Sequence, residues 1–189
     1  QFTNAQVSRN LGDFDQVKVF DKIKVVLISA EQNKLVITGN RADEVETVNK
    51  NGDLKIRMPF PKLLSGDDII VKLYFKKIES IAVSEGSYVS SESDFKQTIL
   101  DLNAKSGGEI DINIDVDKVN VKANAGGIIT ISGKATNQNV TITSGGILNA
   151  KDLHTSQTAI TVAAGGQSEV HANTLVDAKV KAGGSIFIY

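Results

Sequence analysis

A pair of adjacent glycines returns five times in the C-terminal half of this 189-residue chain, at nearly equal intervals. The steps between successive pairs are 19, 19, 20 and 18 residues. A fixed period near 20 residues in a sequence rich in Val, Ile and Thr is typical of stacked β units. The glycine pairs are Gly107-Gly108, Gly126-Gly127, Gly145-Gly146, Gly165-Gly166 and Gly183-Gly184.

The residues around each glycine pair alternate between two kinds. Mainly apolar residues recur five and three positions before the first glycine and three and five positions after it, and the residues between them are mostly polar. Alternation with a period of two predicts two short half-buried strands flanking a corner. The four rows are Leu102, Val121, Val140, Ile160 and Ala178; Ala104, Ala123, Ile142, Val162 and Val180; Ile110, Ile129, Leu148, Ser168 and Ile186; and Ile112, Ile131, Ala150, Val170 and Ile188.

Two architectures can use this pattern: a series of tight hairpins, or a β-solenoid that turns a corner at each glycine pair. In a two-residue hairpin, the position three before the first glycine faces the position four after it, and such partners share a face of the sheet. The positions four after are mostly polar, so a hairpin would place the two apolar rows on opposite faces. Side-chain parity therefore favours the solenoid. Those positions are Asp111, Thr130, Asn149, Glu169 and Phe187.

In a solenoid, each repeated residue is expected to occupy the same position in every coil. The ten glycines are interpreted as structural corners, because glycine reaches backbone angles that a side chain obstructs. The small residue before each pair is expected to fit the inside of the bend. Equivalent apolar residues should stack in ladders at the strand separation of about 4.8 Å, with Ile112 over Ile131 as one example.

The N-terminal half is expected to be built differently. Eight of the ten aromatic residues precede residue 100, which predicts a broader, aromatic-rich β layer or a cap on the solenoid. The chain divides into an irregular lead-in (1–13), an N-terminal β region (14–95) and the solenoid repeats (96–189), or 14–189 forms one continuous domain. A degenerate first coil is expected near Gly86. Strands are expected over 14–19, 23–28, 34–38, 43–48, 54–58 and 69–75, with a loop from Met58 to about Asp67.

Composition excludes several functional classes. The chain has no cysteine, so it has neither a disulfide framework nor thiol chemistry. Its net charge is −1 with interspersed charges, which does not indicate nucleic-acid binding or a polybasic membrane patch. No apolar run approaches the roughly 20 residues of a membrane-spanning helix. Whether a signal peptide or lipid anchor preceded Gln1 stays open.

The polar residues offer weak candidate sites. Asp111, Asn113, Asp115 and Asp117 alternate along one predicted strand and supply oxygen ligands of the kind that Ca²⁺ prefers, although a solvated strand face is the simpler interpretation. The only histidines, His154 and His171, are off the repeat period and lack a cysteine partner, which argues against a zinc site or a catalytic triad. Neither catalytic residues nor a cofactor is predicted.

The sequence resembles a family called putative auto-transporter adhesin, head GIN domain, which is common in Bacteroidetes. The resemblance rests on the opening strand of residues 14–19, on the turn and strand of residues 51–56, and on the repeats that end in residues 182–189. The resemblance implies a β-helix-like protein exported to the cell envelope, periplasmic, outer-membrane-associated or on the cell surface, often behind a lipoprotein or secretory signal. It implies no established activity and no catalytic residues.

Three functional hypotheses follow. The first is a non-catalytic envelope or secreted protein that binds a glycan or an envelope or host protein through the solenoid surface. The second is a structural role in which copies of the chain associate, since the end of a solenoid exposes a strand edge. The third and weakest is a polysaccharide-active enzyme, because coils of about 19 residues with few outer aromatic residues lack the groove of such enzymes.

Overall fold

The computed structural model describes residues 6–189, and residues 1–5 of the expected lead-in lie outside that range. The described chain is built from strands and one short 3₁₀ turn, Ala42–Glu44. The strands are β1 (Gln6–Asn10), β2 (Gln16–Val19), β3 (Lys24–Ser29), β4 (Lys34–Thr38), β5 (Glu46–Lys50), β6 (Asp53–Arg57), β7 (Ile70–Phe75), β8 (Ser80–Val83), β9 (Tyr88–Ser91), β10 (Phe95–Ala104), β11 (Glu109–Ala123), β12 (Ile128–Ile142), β13 (Ile147–Ala163), β14 (Gly166–Lys181) and β15 (Gly184–Ile188).

The C-terminal half is a parallel β-solenoid of six coils. This confirms the solenoid that the alternation of side chains around each glycine pair predicts. Strands β8 and β10–β15 pair in parallel, each with the equivalent segment one coil later. Ile112 pairs with Ile131, as the repeat predicts. We call the segments before each glycine corner face A and the segments after it face B. The apolar rows of the two faces point inward and form a continuous core.

The solenoid continues into the N-terminal half, but there the order of the coils along the stack differs from their order in the sequence. On face A, β2 lies between β6 and β8, and on face B, β3 lies between β7 and β9, all in parallel. The first coil of the chain is therefore inserted between two later coils. The degenerate coil expected near Gly86 is present as β8, a corner and β9.

Antiparallel strands extend the front end of the stack. Strand β4 pairs with β7, β1 with β4, and β5 with β6. Residues 6–10, expected to be irregular, form β1 instead because their backbone groups pair with β4. Arg9 joins the two sides of this end, since its Nη1 donates to Val45 O at 2.6 Å and to Thr47 Oγ1 at 3.1 Å. The division into two domains stays a prediction.

The front core is filled mainly by aliphatic side chains, so the expected aromatic layer is not found in the described chain. Phe14, Phe75 and Phe95 are buried, and Phe75 stacks on Phe95 at 5.1 Å between ring centroids. Phe60 is 85% exposed in the loop between β6 and β7. Valine, leucine and isoleucine side chains of β2, β3, β4, β6 and β7 supply most of this core instead.

The two glycines of a corner have different environments. In the corner at Gly126-Gly127, Ala125 and Gly126 have φ of 47° and 75°, so the turn needs the left-handed region at two residues. A Cβ on Gly126 would meet nothing within 4 Å, but a Cβ on Gly127 would lie 2.1 Å from the backbone oxygen of Ala104 in the preceding coil. The small residue before the pair is exposed, so the expectation that it fills the inside of the bend is wrong.

Each coil has a second bend on its far side. In β11, Val116 and Val119 are both buried, and the two residues between them face outward. In β12 and β13 the equivalent interior is polar: Thr158 Oγ1 donates to Gln138 Oε1 at 3.2 Å, and Thr155 lies 2.7 Å from Thr158 through their hydroxyl oxygens. Buried polar groups are tolerated when they pair in this way.

Candidate functional site

The four residues considered for Ca²⁺ lie on the outside of β11, as predicted, but they do not converge. Alternate residues of a strand are about 7 Å apart, and each of three side chains turns to a neighbouring coil. Tyr88 OH donates to Asp111 Oδ2 at 3.4 Å, Asn113 Nδ2 to Ser132 Oγ at 2.9 Å, and Lys134 lies 3.8 Å from Asp115. Asp117 is exposed at the second bend. Residues 6–189 contain no group of three or more His, Cys, Asp or Glu side chains that could hold a metal ion.

The two histidines lie together on face B, which their sequence spacing conceals. Register shifts between β13 and β14 make His154 and His171 direct partners, and their ring centroids are 4.4 Å apart in an edge-to-face arrangement. His171 Nε2 lies 3.2 Å from Asn173 Oδ1. His154 also pairs in register with Lys134. Within residues 6–189, neither imidazole forms an ion pair with a carboxylate.

A long concave feature lies on the outer surface of face A, and we call it the outer trough. It has a volume of about 660 Å³ and crosses the strands from β2 to β14. At about 4.8 Å per strand, its seven strands span roughly 29 Å along the solenoid axis. Its outward-facing lining residues are Lys18, Ser80, Ala82, Asp101, Asn103, Asn120, Lys122, Asn139, Thr141, Ala159, Thr161, Asp177 and Lys179.

The outward positions of face A form two polar rows along this trough. In one row the side-chain amides form a ladder: Asn120 Nδ2 donates to Asp101 Oδ1 at 2.7 Å, and Asn139 Nδ2 donates to Asn120 Oδ1 at 3.4 Å. The other row presents Asn103, Lys122, Thr141, Thr161 and Lys179 in successive coils. Small residues, Ala82 and Ala159, deepen the trough. The arrangement offers hydrogen-bond donors and acceptors that repeat at the strand separation.

A second cavity of about 280 Å³ adjoins the front of the trough, and we call it the lysine cavity. Lys18, Ala82 and Asn103 line both spaces. Its other side chains include Phe20, Lys55, Ser84 and Lys105. Lys18 Nζ forms an ion pair with Asp53 Oδ2 at 2.9 Å. The lysine cavity is thus the most cationic part of this surface.

A pair of carboxyl groups lies at the corner beside the lysine cavity. Asp21 is buried, and its two oxygens accept backbone amides of Met58 at 3.0 Å and Leu64 at 3.2 Å. The hydrogen bond from the Glu85 carboxyl to Asp21 raises the pKa of Glu85, burial and the charge of Asp21 raise it further, and nearby Lys105 lowers it. This pair ties the β2–β3 corner to the β8–β9 corner and to the loop before β7.

Sequence reasoning did not identify the outer trough. Polar outward positions are the ordinary pattern for a sheet with one solvated face, so they do not mark a binding surface in the sequence. A signal was present in Asn120 and Asn139, which occupy the same position of successive units. The small outward residues Ala82 and Ala159 were a second signal, since they interrupt rows of longer side chains.

Comparisons with known proteins agree with the fold. Over residues 13–189 the sequence matches the family described as "Putative auto-transporter adhesin, head GIN domain". No curated protein matches it significantly. The chain is similar to a solved putative adhesin from Bacteroides fragilis, with a TM-score of 0.89, 15% identity, and coverage of 100% of this chain and 98% of the other.

Two solved putative adhesins from Parabacteroides are also similar. The protein from Parabacteroides merdae has a TM-score of 0.72 and 16% identity, with coverage of 100% of this chain and 97% of the other. The protein from Parabacteroides distasonis has a TM-score of 0.69 and 20% identity, with coverage of 99% and 97%. At such identities the likeness establishes the fold. Within the described chain, no helix has the length and apolar character to cross a membrane.

Proposed function

Because the chain belongs to the family described as "Putative auto-transporter adhesin, head GIN domain", we propose that it is a non-catalytic adhesin-like protein that binds a linear glycan in the outer trough. The observation that carries this proposal is the trough itself, a polar channel of about 660 Å³ crossing seven strands. We further propose that the protein is exported and acts in the cell envelope, which its lack of cysteine and its family fit.

A hydroxyl-rich polymer suits the trough better than a peptide does. Peptides commonly bind a sheet by adding a strand to its edge, using free backbone groups. The trough lies on the face of the sheet, where the backbone groups of β10–β14 already pair between coils. Recognition must therefore use side chains, and these are amides, hydroxyls and charges repeating about every 4.8 Å. A polymer with repeating hydroxyl groups matches such an array.

The separation of the acids in the trough supports a non-catalytic role. Glycosidases place two carboxyl groups about 5–9.5 Å apart across the scissile bond. The two carboxylates that line the trough, Asp101 and Asp177, lie in strands four coils apart, which is about 19 Å at the usual strand separation. Asp101 is also engaged by the amide of Asn120. A pair with hydrolytic geometry is therefore not formed by these residues.

A glycan array with two tryptophan variants tests the proposal. Ala159→Trp fills the trough at β13, the sixth of its seven strands, from an exposed position, and Asn149→Trp, on the face B side of the same strand, is the matched control. We expect the wild type and the control variant to bind a common set of linear glycans, and Ala159→Trp to lose them. Absence of binding across the array, or equal binding by Ala159→Trp, would contradict the proposal.

A second candidate function is self-association through the last coil. Val180, Phe187, Ile188 and Tyr189 are each about half exposed there, and β15 pairs only with β14 among the described strands. An edge strand flanked by apolar side chains can pair with a second copy. Sedimentation velocity over a wide range of concentrations tests this, and a monomer at every concentration would remove it.

A further inference from the structure

The charges around the outer trough are unlike those of the whole chain. The trough and the adjoining lysine cavity are lined by five lysines and by two carboxylates, whereas the chain carries a net charge of −1. The outer side of β11 on face B is acidic instead, with Glu109, Asp111 and Asp115. The lining of the two cavities is therefore cationic, although the chain as a whole carries a small negative charge. The five lysines are Lys18, Lys55, Lys105, Lys122 and Lys179.

The lysines follow the line of the trough. Lys55, Lys18, Ala82 and Asn103 occupy one row of paired strands, and the row continues through Lys122 to Lys179. From Lys18 to Lys122, and again from Lys122 to Lys179, the row advances three strands, or about 14 Å at the usual separation. Cationic groups at both ends and in the middle of a channel suit an extended polyanion better than a single small anion.

Most of these lysines have no carboxylate partner in the part of the chain that the structure describes. Lys18 is paired with Asp53, but Lys55, Lys122 and Lys179 form no ion pair within residues 6–189. Lys105 lies near Glu85 without forming an ion pair at contact distance. Of the acids in the trough, Asp101 is engaged by Asn120. The unpaired ammonium groups are available to an anionic ligand.

The junction of the two cavities has an unsatisfied polar atom. Asn103 lines both spaces, and its Oδ1 is buried without a hydrogen-bond partner among the described residues. A buried acceptor left without a hydrogen bond destabilises the free protein, so a ligand hydroxyl that reaches it after a small side-chain rotation would relieve that cost. The surroundings of Asn103 thus favour a ligand with both hydroxyl and anionic groups.

We propose that the glycan bound in the outer trough is acidic, a polysaccharide that carries carboxylate or sulfate groups. Its charged groups bind Lys55, Lys122 and Lys179, and its hydroxyl groups bind the Asn and Thr side chains of the two polar rows. This inference rests on the proposed glycan-binding function and adds the chemical class of the ligand. Lysine is a suitable residue here because its flexible stem follows a polymer without demanding one geometry.

The test uses probes that differ only in charge. Oligogalacturonate and its methyl ester share a backbone but differ in carboxylates, and dextran sulfate and dextran differ in sulfates. Binding to the full chain is measured by calorimetry at low and physiological ionic strength. We expect at least one acidic probe to bind about tenfold or more tightly than its neutral partner, with an affinity that falls as salt is added.

Two triple variants assign the effect to the trough. Lys55→Gln, Lys122→Gln and Lys179→Gln together should weaken binding of the acidic probe about tenfold or more. The control replaces three exposed lysines of face B by Gln, and binding should stay within about twofold of the wild type. These control positions are Lys24, Lys72 and Lys96.

The outcomes separate this inference from the proposed function. If neutral and acidic probes bind equally, with both lysine variants unchanged and Ala159→Trp inactive, the trough binds glycans but the acidic class is wrong. If the face B control loses binding as much as the trough variant, the site is misplaced. If no acidic or neutral probe binds and the glycan array is also blank, both proposals fail.

Discussion

The two glycines of one corner should respond very differently to alanine. In Gly126→Ala the new methyl group meets nothing within 4 Å, so the cost is the left-handed backbone alone, about 1–2 kcal/mol. In Gly127→Ala the Cβ would lie 2.1 Å from Ala104 O, whereas an ordinary carbon–oxygen contact is about 3.3–3.6 Å. The two coils must therefore separate locally by more than about 1 Å.

That separation strains the hydrogen bonds between coils. Ala104 O accepts the backbone amide of Asn124 at 3.0 Å, so moving this oxygen weakens a bond that the corner depends on. Overpacking of about 1–3 kcal/mol, together with about 1–2 kcal/mol for a weakened buried hydrogen bond, gives a cost of about 2–5 kcal/mol for Gly127→Ala. In a chain of this size 1 kcal/mol corresponds to about 3 °C, so the melting temperature should fall by about 3–6 °C for Gly126→Ala and by about 6–15 °C for Gly127→Ala.

Urea denaturation followed by far-ultraviolet circular dichroism measures the difference. The same two substitutions at Gly145 and Gly146 provide a replicate, because a Cβ on Gly145 meets nothing within 4 Å and one on Gly146 would lie 2.3 Å from Ala123 O. The reasoning is refuted if the first glycine of either pair proves as sensitive as the second. It is also refuted if both second-glycine variants lose less than about 1 kcal/mol.

Three further predictions concern charge, packing and metal. The raised pKa of Glu85 means that the folded state binds a proton more tightly than the unfolded chain, so this stabilisation is present in acid and is lost as the pH rises through the pKa of the folded state. Glu85→Gln should remove this pH-dependent loss of stability, which is worth less than about 1 kcal/mol because Glu85 is exposed. Urea titrations at about pH 4 and pH 7 measure the difference. Ile131→Ala, at a site 1% exposed, should cost about 2–5 kcal/mol in thermal unfolding, and Ile99→Ala, 48% exposed, should stay within about 0.5 kcal/mol. Millimolar Ca²⁺ should leave the melting temperature unchanged, because the outward-facing acidic side chains of β11 are spread along the strand. A clear rise in the melting temperature would show that these side chains converge on the ion.

The repeating part of the fold could be predicted because its rule is local. Parity around each glycine pair decides between a hairpin and a solenoid, and the stacking of Ile112 on Ile131 follows from a period of 19 residues. The insertion of β2 between β6 and β8 could not be predicted in the same way. Three short strands with similar alternation can stack in several orders, and the pairing is decided by contacts far apart in sequence.

The site was harder to predict than the fold for a physical reason. Binding surfaces on a solenoid use outward positions, where many polar residues satisfy the folding requirement equally well, so neither Lys122 nor Thr141 is distinguishable from a solvated residue. The histidines show a second limit. His154 and His171 are 17 residues apart, and only the register shifts in β13 and β14 make them neighbours. Such irregularities do not follow from the average period.

The inserted first coil divides the molecule into a front held by contacts between distant parts of the sequence and a rear held by local contacts. Gln16 pairs with Asp53 and with Ser80, so both neighbours of β2 are synthesised long after β2 itself. Large loops must close before any of these contacts stabilises the chain, which slows this step. Each later coil needs only the coil that precedes it, about 19 residues upstream. We therefore expect the rear coils to form through local contacts, whereas the front coils become stable only when segments far apart in sequence have met.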